Sequence, residues 1–359
     1  MRAPGGALTD LLAGARADGV FSAAAWAVGD ADGHRVRGTL GTRAWPDLPE
    51  VTGAGDGIDA APLDGTELFD LASVTKPLVA LAAAVLVERG ALADDDTVAR
   101  LLPAHRGTPA ADATLAQLLL HTSGLPGRVP LWREHGTREA LLRAVAELPL
   151  AHRPGTQVDY SSQGFILIGL MLEAATGAPL DELVTDLVAG PAGARGLTFA
   201  PGPGVPVVAT ERCAWRGRVV QGQVHDENAV VLGRPAGHAG LFGTLDDVAA
   251  VGRALVRTLD DRVLMSPAAL AAMIRTDSPS PARSRGWQNN DPAEPVAGGR
   301  VGPRTFGHTG FTGTSLFVDP DTRRWYVLLT NRVHVSREGT GVVAVRARFH
   351  DLAHDTAGG

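Results

Sequence analysis

Residues 68–90 read LFDLASVTKPLVALAAAVLVERG. The pattern predicts a helix of about 16 residues that begins near Ser73 and stops at Gly90. Pro77 falls in the first turn, where a backbone N–H has no intrahelical partner, so the helix tolerates it. The helix is apolar nearly all round, which places it in the middle of the protein. Ser73 and Lys76 stand three apart, on one helix face. Their Oγ and Nζ atoms can therefore come within hydrogen-bond reach. The partial positive charge of a helix N-terminus suits a developing oxyanion and favours a lysine that loses its proton. A serine hydroxyl is a poor nucleophile until such a base activates it. Read alone, Ser73 is also an ordinary N-cap residue, and SxxK tetrapeptides occur by chance.

Composition sharpens this. The chain has 33 Lys+Arg, and Lys76 is its one lysine. Arginine stays protonated in any protein, whereas a buried lysine can act as a base. A lysine kept where arginine is the habit points to a task that arginine cannot perform.

Working outward, Phe21–Gly29 and Arg35–Arg43 read as a hairpin. Thr305–Thr309, Ser315–Asp319 and Trp325–Asn331 read as three more strands, and Val342–His354 as a closing helix. Residues 91–250 read as mainly helical, and Gly286–Gln288 as one further short strand. The expected class is α+β: one antiparallel five-stranded sheet from the N- and C-terminal segments, flanked by helices, with a large, mostly helical insertion. Residues 1–90 with 250–359 form the expected sheet domain and residues 91–249 the helical one, with the active site at their interface.

Two more motifs carry chemistry. Asp159-Tyr160-Ser161-Ser162 precedes an apolar helix and contains one of only two tyrosines. A phenol beside a lysine and a histidine can relay protons at neutral pH; the bland alternative is a core tyrosine followed by a capping serine. Gly307-His308-Thr309-Gly310-Phe311-Thr312-Gly313 enters a strand, and its glycines let a ligand approach the backbone. The N–H of Phe311 can pair with that of Ser73 as an oxyanion hole. The alternative there is a bulged surface strand with an incidental histidine.

In this order the three motifs resemble the penicillin-recognising serine enzymes, which carry an SxxK nucleophile motif, a middle polar motif and a [KH]TG strand. The tyrosine and His-Thr-Gly versions are similar to the class C β-lactamase-like branch of esterases, D-aminopeptidases, DD-carboxypeptidases and transacylases. LLLHTSGLPG, RPGTQVDYSS, VHDENA, GHAGLFGTLDDVA and FGHTGFTGTSLFVDP extend the likeness over roughly residues 20–335. The resemblance implies Ser73 as nucleophile, Lys76 as base, Tyr160 as its partner in proton transfer and His308 in the place of a lysine. It implies Ser162, Gly310 and Phe311 as substrate contacts. Ser162 stands where the family carries Asn or Asp, and His308 replaces the lysine of true class C β-lactamases. Both departures point away from β-lactamase or DD-carboxypeptidase action.

The net charge of −6 gives no basic footprint for nucleic acid. No stretch is long enough for a membrane span, the first residues contain Asp10 and Asp18 rather than a secretory pattern, and a single cysteine, Cys213, signals no disulfide framework. A cytoplasmic enzyme is expected, with no cofactor and no metal; its oligomeric state is open. His225, Asp226, Glu227 and His238 lack a standard ligand spacing and read as structural or as bordering the acyl pocket. The turn at His121-Thr122-Ser123-Gly124 likewise reads as structural. The expected function is a serine hydrolase that forms acyl-Ser73 from a small ester or amide. The alternatives are an acyltransferase that passes the acyl group to an amine or alcohol, and a non-catalytic binding protein that keeps the fold.

Overall fold

The computed structural model describes residues 5–52 and 57–356. After the first helix, α1 (Gly6–Ala17), the strands β1 (Ala23–Gly29) and β2 (His34–Gly41) form a hairpin. The chain then runs through α2 (Thr75–Glu88), α3 (Ser162–Thr176) and α4 (Leu245–Thr258). It returns to the sheet as β3 (Arg283–Ser284), β4 (Trp287–Asn289), β5 (Phe306–Thr309), β6 (Ser315–Asp319) and β7 (Arg324–Thr330). The closing helix is α5 (Val342–Thr356).

The sheet is antiparallel, with strand order β2-β1-β7-β6-β5-β4-β3. It has seven strands, which corrects the expected five. The two extra strands are two and three residues long; the second overlaps the short strand expected at Gly286–Gln288, and the first is too short for alternation to reveal. They turn at Gly286, whose φ of 78° favours glycine and whose Cβ, if it had one, would stand 2.3 Å from that of Ala80 in α2.

Every residue of β1 is buried, because the sheet is a middle layer. Ala23, Ala25 and Ala27 face the core shared with α2, α3 and α4; Ala24, Trp26 and Val28 face a second core with Leu8 and Leu12 of α1 and Phe349 of α5. Alternate side chains of one strand thus feed two cores. α2 begins at Thr75 rather than Ser73: residues Ala72–Val74 form a separate 3₁₀ turn. From Thr75 to Ala83 the helix is buried without a break, as its composition requires. Among the described residues no single helix is long and apolar enough to cross a membrane; the one apolar pair that reaches the length, 162–176 with 180–192, is bent by 88°.

Candidate active site

The turn that carries Ser73 is clamped from both sides. Before it, Phe69–Asp70 pairs with Phe242–Gly243, and the Leu71 N–H donates to the Leu241 carbonyl at 2.9 Å. The Leu241 N–H in turn donates to Thr75 Oγ1. From the β5–β6 loop, Thr312 Oγ1 donates to the Asp70 carbonyl at 2.7 Å and Thr314 Oγ1 to the Leu71 carbonyl at 3.0 Å. Gly310 passes so close to this turn that a Cβ there would meet the Leu71 oxygen at 2.6 Å. Ala72, just ahead of Ser73, has φ of 46°. That conformation costs a non-glycine residue roughly 1 kcal/mol, which the clamping hydrogen bonds, each of about 1 kcal/mol, can offset. Asp70 fixes it further: its carboxylate accepts from the Ala72 N–H at 2.8 Å and from the His225 N–H at 2.7 Å. Burial raises the Asp70 pKa above its ordinary value, and these two N–H groups only partly oppose that.

Lys76 is 1% exposed. Its Nζ donates to Ser73 Oγ at 3.1 Å and to the His238 carbonyl at 2.9 Å, and it lies 4.9 Å from the centre of the Tyr160 ring. The three residues of the SxxK and tyrosine motifs therefore share one site. Burial pushes the Tyr160 phenol up, but the Lys76 charge and hydrogen bonding from Lys76 and Ser73 outweigh it and hold the phenol below its ordinary value.

α3 delivers Tyr160. Ser161 caps it, its Oγ accepting from the Gly164 N–H at 3.2 Å. The Ser161 N–H donates to His121 Nδ1 at 3.1 Å, and the His121 ring packs 4.7 Å from that of Tyr160. His121 adopts φ of 57° and is buried. Burial, then the nearby charges of Arg283 and Lys76, hold it well below the ordinary histidine value, so it is a neutral acceptor that sets the Tyr160 backbone. Thus the His121 turn, read as structural from the sequence, touches the tyrosine directly.

His308 sits on β5, 5.9 Å ring to ring from Tyr160. Its Nδ1–H donates to the Thr309 carbonyl at 2.8 Å. Burial, then Arg283 and Lys76, keep it neutral, so its Nε2 is a bare acceptor, buried and without a partner. The Ser73 and Phe311 N–H groups have no hydrogen-bond partner among the described residues, while the neighbouring Gly310 N–H is taken up by Thr314 at 2.7 Å.

Two cavities meet at Ser73. One, of about 250 Å³, is lined by Ser162, Phe311, Val129, Trp132, Asn228 and Arg337 among others. The second, of about 410 Å³, is lined by Tyr160, His308, Gly310, Phe311 and four arginines. Ser162 thus borders the first cavity only. The acids and histidines on the side of the first cavity are engaged with one another: His225 Nε2 and Glu211 at 2.7 Å, His238 Nε2 and Asp226 at 2.9 Å, and Arg337 with both Glu211 and Glu227 at 2.5 Å. Burial would raise the Asp226 pKa, but the His238 ring overrides this and keeps the carboxyl far below its usual range. Since the His238 carbonyl holds Lys76 Nζ, this pair braces the lysine from behind. Asp70, His121, Thr312 and Thr314 were not readable as site residues, because each acts through contacts to the backbone of another segment; from the sequence His238 reads only as structural or as bordering the acyl pocket. Only the adjacency of Thr312 and Thr314 to the His-Thr-Gly motif offered a signal.

A family model described as "Beta-lactamase" matches residues 8–347. A protein of Escherichia coli (strain K12) that carries the provisional name D-alanyl-D-alanine carboxypeptidase is 30% identical over 302 residues, covering 74% of this chain and 69% of its own. Among solved structures, EstCE1, described as a hydrolase with promiscuous acyltransferase activity, superposes with a TM-score of 0.76 at 23% identity, covering 97% of each chain. A simvastatin synthase variant from Aspergillus terreus superposes with a TM-score of 0.74 at 20% identity, covering 99% of each. At these identities the two structures show a shared fold.

Proposed function

The chain belongs to the β-lactamase family, and from that premise we propose that it is a serine hydrolase acting on a small ester or amide through a covalent acyl-Ser73 intermediate. One contact supports this most: the only lysine of the chain, 1% exposed, lies with its Nζ 3.1 Å from Ser73 Oγ. Ser73 Oγ attacks the carbonyl carbon while its proton passes to the Lys76–Tyr160 pair. The lowered Tyr160 phenol, beside the Lys76 charge, suits it to take and return that proton. The unengaged N–H groups of Ser73 and Phe311 are the donors for the tetrahedral oxyanion. As the intermediate collapses, the leaving group departs with the proton returned by the pair. His308, neutral and with a bare Nε2, accepts a hydrogen bond from a substrate N–H or O–H rather than anchoring a carboxylate as a lysine would. Water then attacks acyl-Ser73 by the reverse route.

A second reading, transfer of the acyl group to an amine or alcohol, is favoured by one observation. Ser73 lines both cavities, so an acyl group and an acceptor can be held at once. The solved relative named for promiscuous acyltransferase activity is consistent with it.

Turnover of p-nitrophenyl acetate and butyrate tests the first reading. Ser73→Ala and Lys76→Arg should each lower kcat roughly a thousandfold or more, the second because a guanidinium cannot pass a proton between Ser73 and Tyr160 as an amine can. Unchanged turnover in Ser73→Ala would sink it. Added amines should divert product if transfer operates; partitioning that never responds to amine concentration would remove the second reading. A cytoplasmic location and the two-domain division at residues 91 and 249 belong to the same proposal.

A further inference from the structure

Four arginines, Arg128, Arg283, Arg332 and Arg346, line the 410 Å³ cavity beside Ser73, and no Asp or Glu lines it. Among the described residues none of the four has a carboxylate partner, although most ion pairs of this chain use an arginine. Arg346 is the sharpest case. It is 7% exposed, on the second turn of α5, and its Nε is buried with no hydrogen-bond partner. Arg283 has a buried Nη1 in the same condition, and its guanidinium stacks 4.8 Å from the Tyr160 ring centre. Arg332 is held in place by three carbonyls, those of Phe311, Arg337 and Gly339, which fix its geometry with no carboxylate in contact. Burial and the charge of Arg332 push the Arg346 pKa down to about 10, so the cluster is under electrostatic tension.

A buried cation without a counter-ion is costly, so an unligated cluster of this kind is a site waiting for an anion. One carboxylate satisfies one guanidinium fork. Buried Arg346 and half-buried Arg283, each with an open buried donor, and Arg332 beside them exceed what a single carboxylate can neutralise. The N-terminal end of α5, at Val342 and Val343, borders the same cavity and adds positive potential.

We propose that this cavity binds a substrate group bearing two or more negative charges, a phosphoryl group or a dicarboxylate, through Arg283, Arg332 and Arg346. That the bound molecule is a substrate rests on the acyl-Ser73 reading; the anion site itself does not.

The test uses the Ser73→Ala protein, in which no turnover intervenes. Pyrophosphate, succinate and acetate are titrated calorimetrically at one ionic strength. The expected result is that pyrophosphate or succinate binds at least about tenfold tighter than acetate, and that adding Arg346→Gln or Arg283→Gln weakens that binding about tenfold or more. Which of the two dianions binds tighter decides between phosphoryl and dicarboxylate. Acetate binding as tightly as both dianions, no binding of any of them, or dianion binding indifferent to both substitutions would overturn the proposal. In the wild type the preferred dianion should inhibit p-nitrophenyl butyrate turnover competitively. Ser73-dependent turnover without dianion binding removes only the anion site, whereas dianion binding without Ser73-dependent turnover removes only the acyl-enzyme.

Discussion

The two cavities that meet at Ser73 handle charge in opposite ways. On the side of Ser162 and Asn228, the acids are all engaged: Glu211 with His225 and Arg337, Glu227 with Arg337, and Asp226 with His238; only Arg128, which lines both cavities, lacks a carboxylate there. On the side of Tyr160 and His308, Arg283, Arg332 and Arg346 stand without a carboxylate. Buried charge that is paired holds a framework in place; buried charge left open is kept for something that arrives. The same contrast separates two proposed roles around Ser73. Lys76 is braced by the His238 carbonyl on the paired side, while the groups proposed to meet the substrate's polar end, His308 and the arginines, lie on the open side.

The largest effect should come from the open side. Tyr160→Phe removes the phenol but keeps the ring against His121, so it should lower kcat/KM by roughly a hundredfold with little change in stability. In the wild type the pH dependence of kcat/KM should rise through an apparent pKa below the ordinary phenol value of about 10, because the Tyr160 pKa is lowered. The phenylalanine variant should lose that limb. A limb that persists in Tyr160→Phe would assign the titration to another group.

Next in size is a break in the paired side. Burial opposes ionisation of Glu211, but His225 and Arg337 pull its carboxyl down to about 2 from 4.5. A depressed carboxyl stabilises the fold above its unfolded value, and that contribution is lost as pH falls from about 4.5 towards 2. Glu211→Gln should cost about 3 kcal/mol at neutral pH, since it removes the carboxylate that pairs with Arg337 and contacts the His225 ring. It should also flatten the acid limb between those values. Denaturant unfolding against pH measures both, and an unaltered acid limb would contradict the pairing.

The smallest effect has the opposite sign. Arg346→Gln removes an unpaired buried charge, so it should raise stability by about 1 kcal/mol while weakening anion binding. A Tm that falls instead would mean that Arg346 supports the fold, and the contrast between the two sides would blur.

How much of this was legible depends on where the signal lay. Lys76 stood out because it is the single lysine among 33 Lys+Arg, and Ser73 because it stands three positions before that lysine, on the same helix face. Tyr160 and His308 came with neighbours that carry a pattern. The long strands of the sheet were readable within a residue or two, because β1 and β7 are continuous apolar runs. β4 showed only as the short strand read at Gly286–Gln288, and β3 not at all, both being too short for any period. The arginine cluster was invisible for the reason that made Lys76 visible: arginine is the habitual cation here, so Arg283, Arg332 and Arg346 looked like all the others. Only folding brings β3, the segment after β7 and α5 to one cavity. The strained Ala72 and the threonine clamp also escaped notice, since they act through backbone atoms that carry no residue signature.

The central claim is an acyl group on Ser73, activated by Lys76. The most direct measurement is intact-mass and peptide-mapping mass spectrometry of the protein quenched during p-nitrophenyl butyrate turnover. We expect one butyryl group on the peptide that contains Ser73, and none on Ser73→Ala or, within the same time, on Lys76→Arg. A butyryl group on any other residue, or equal labelling of the Ser73→Ala protein, would contradict the account.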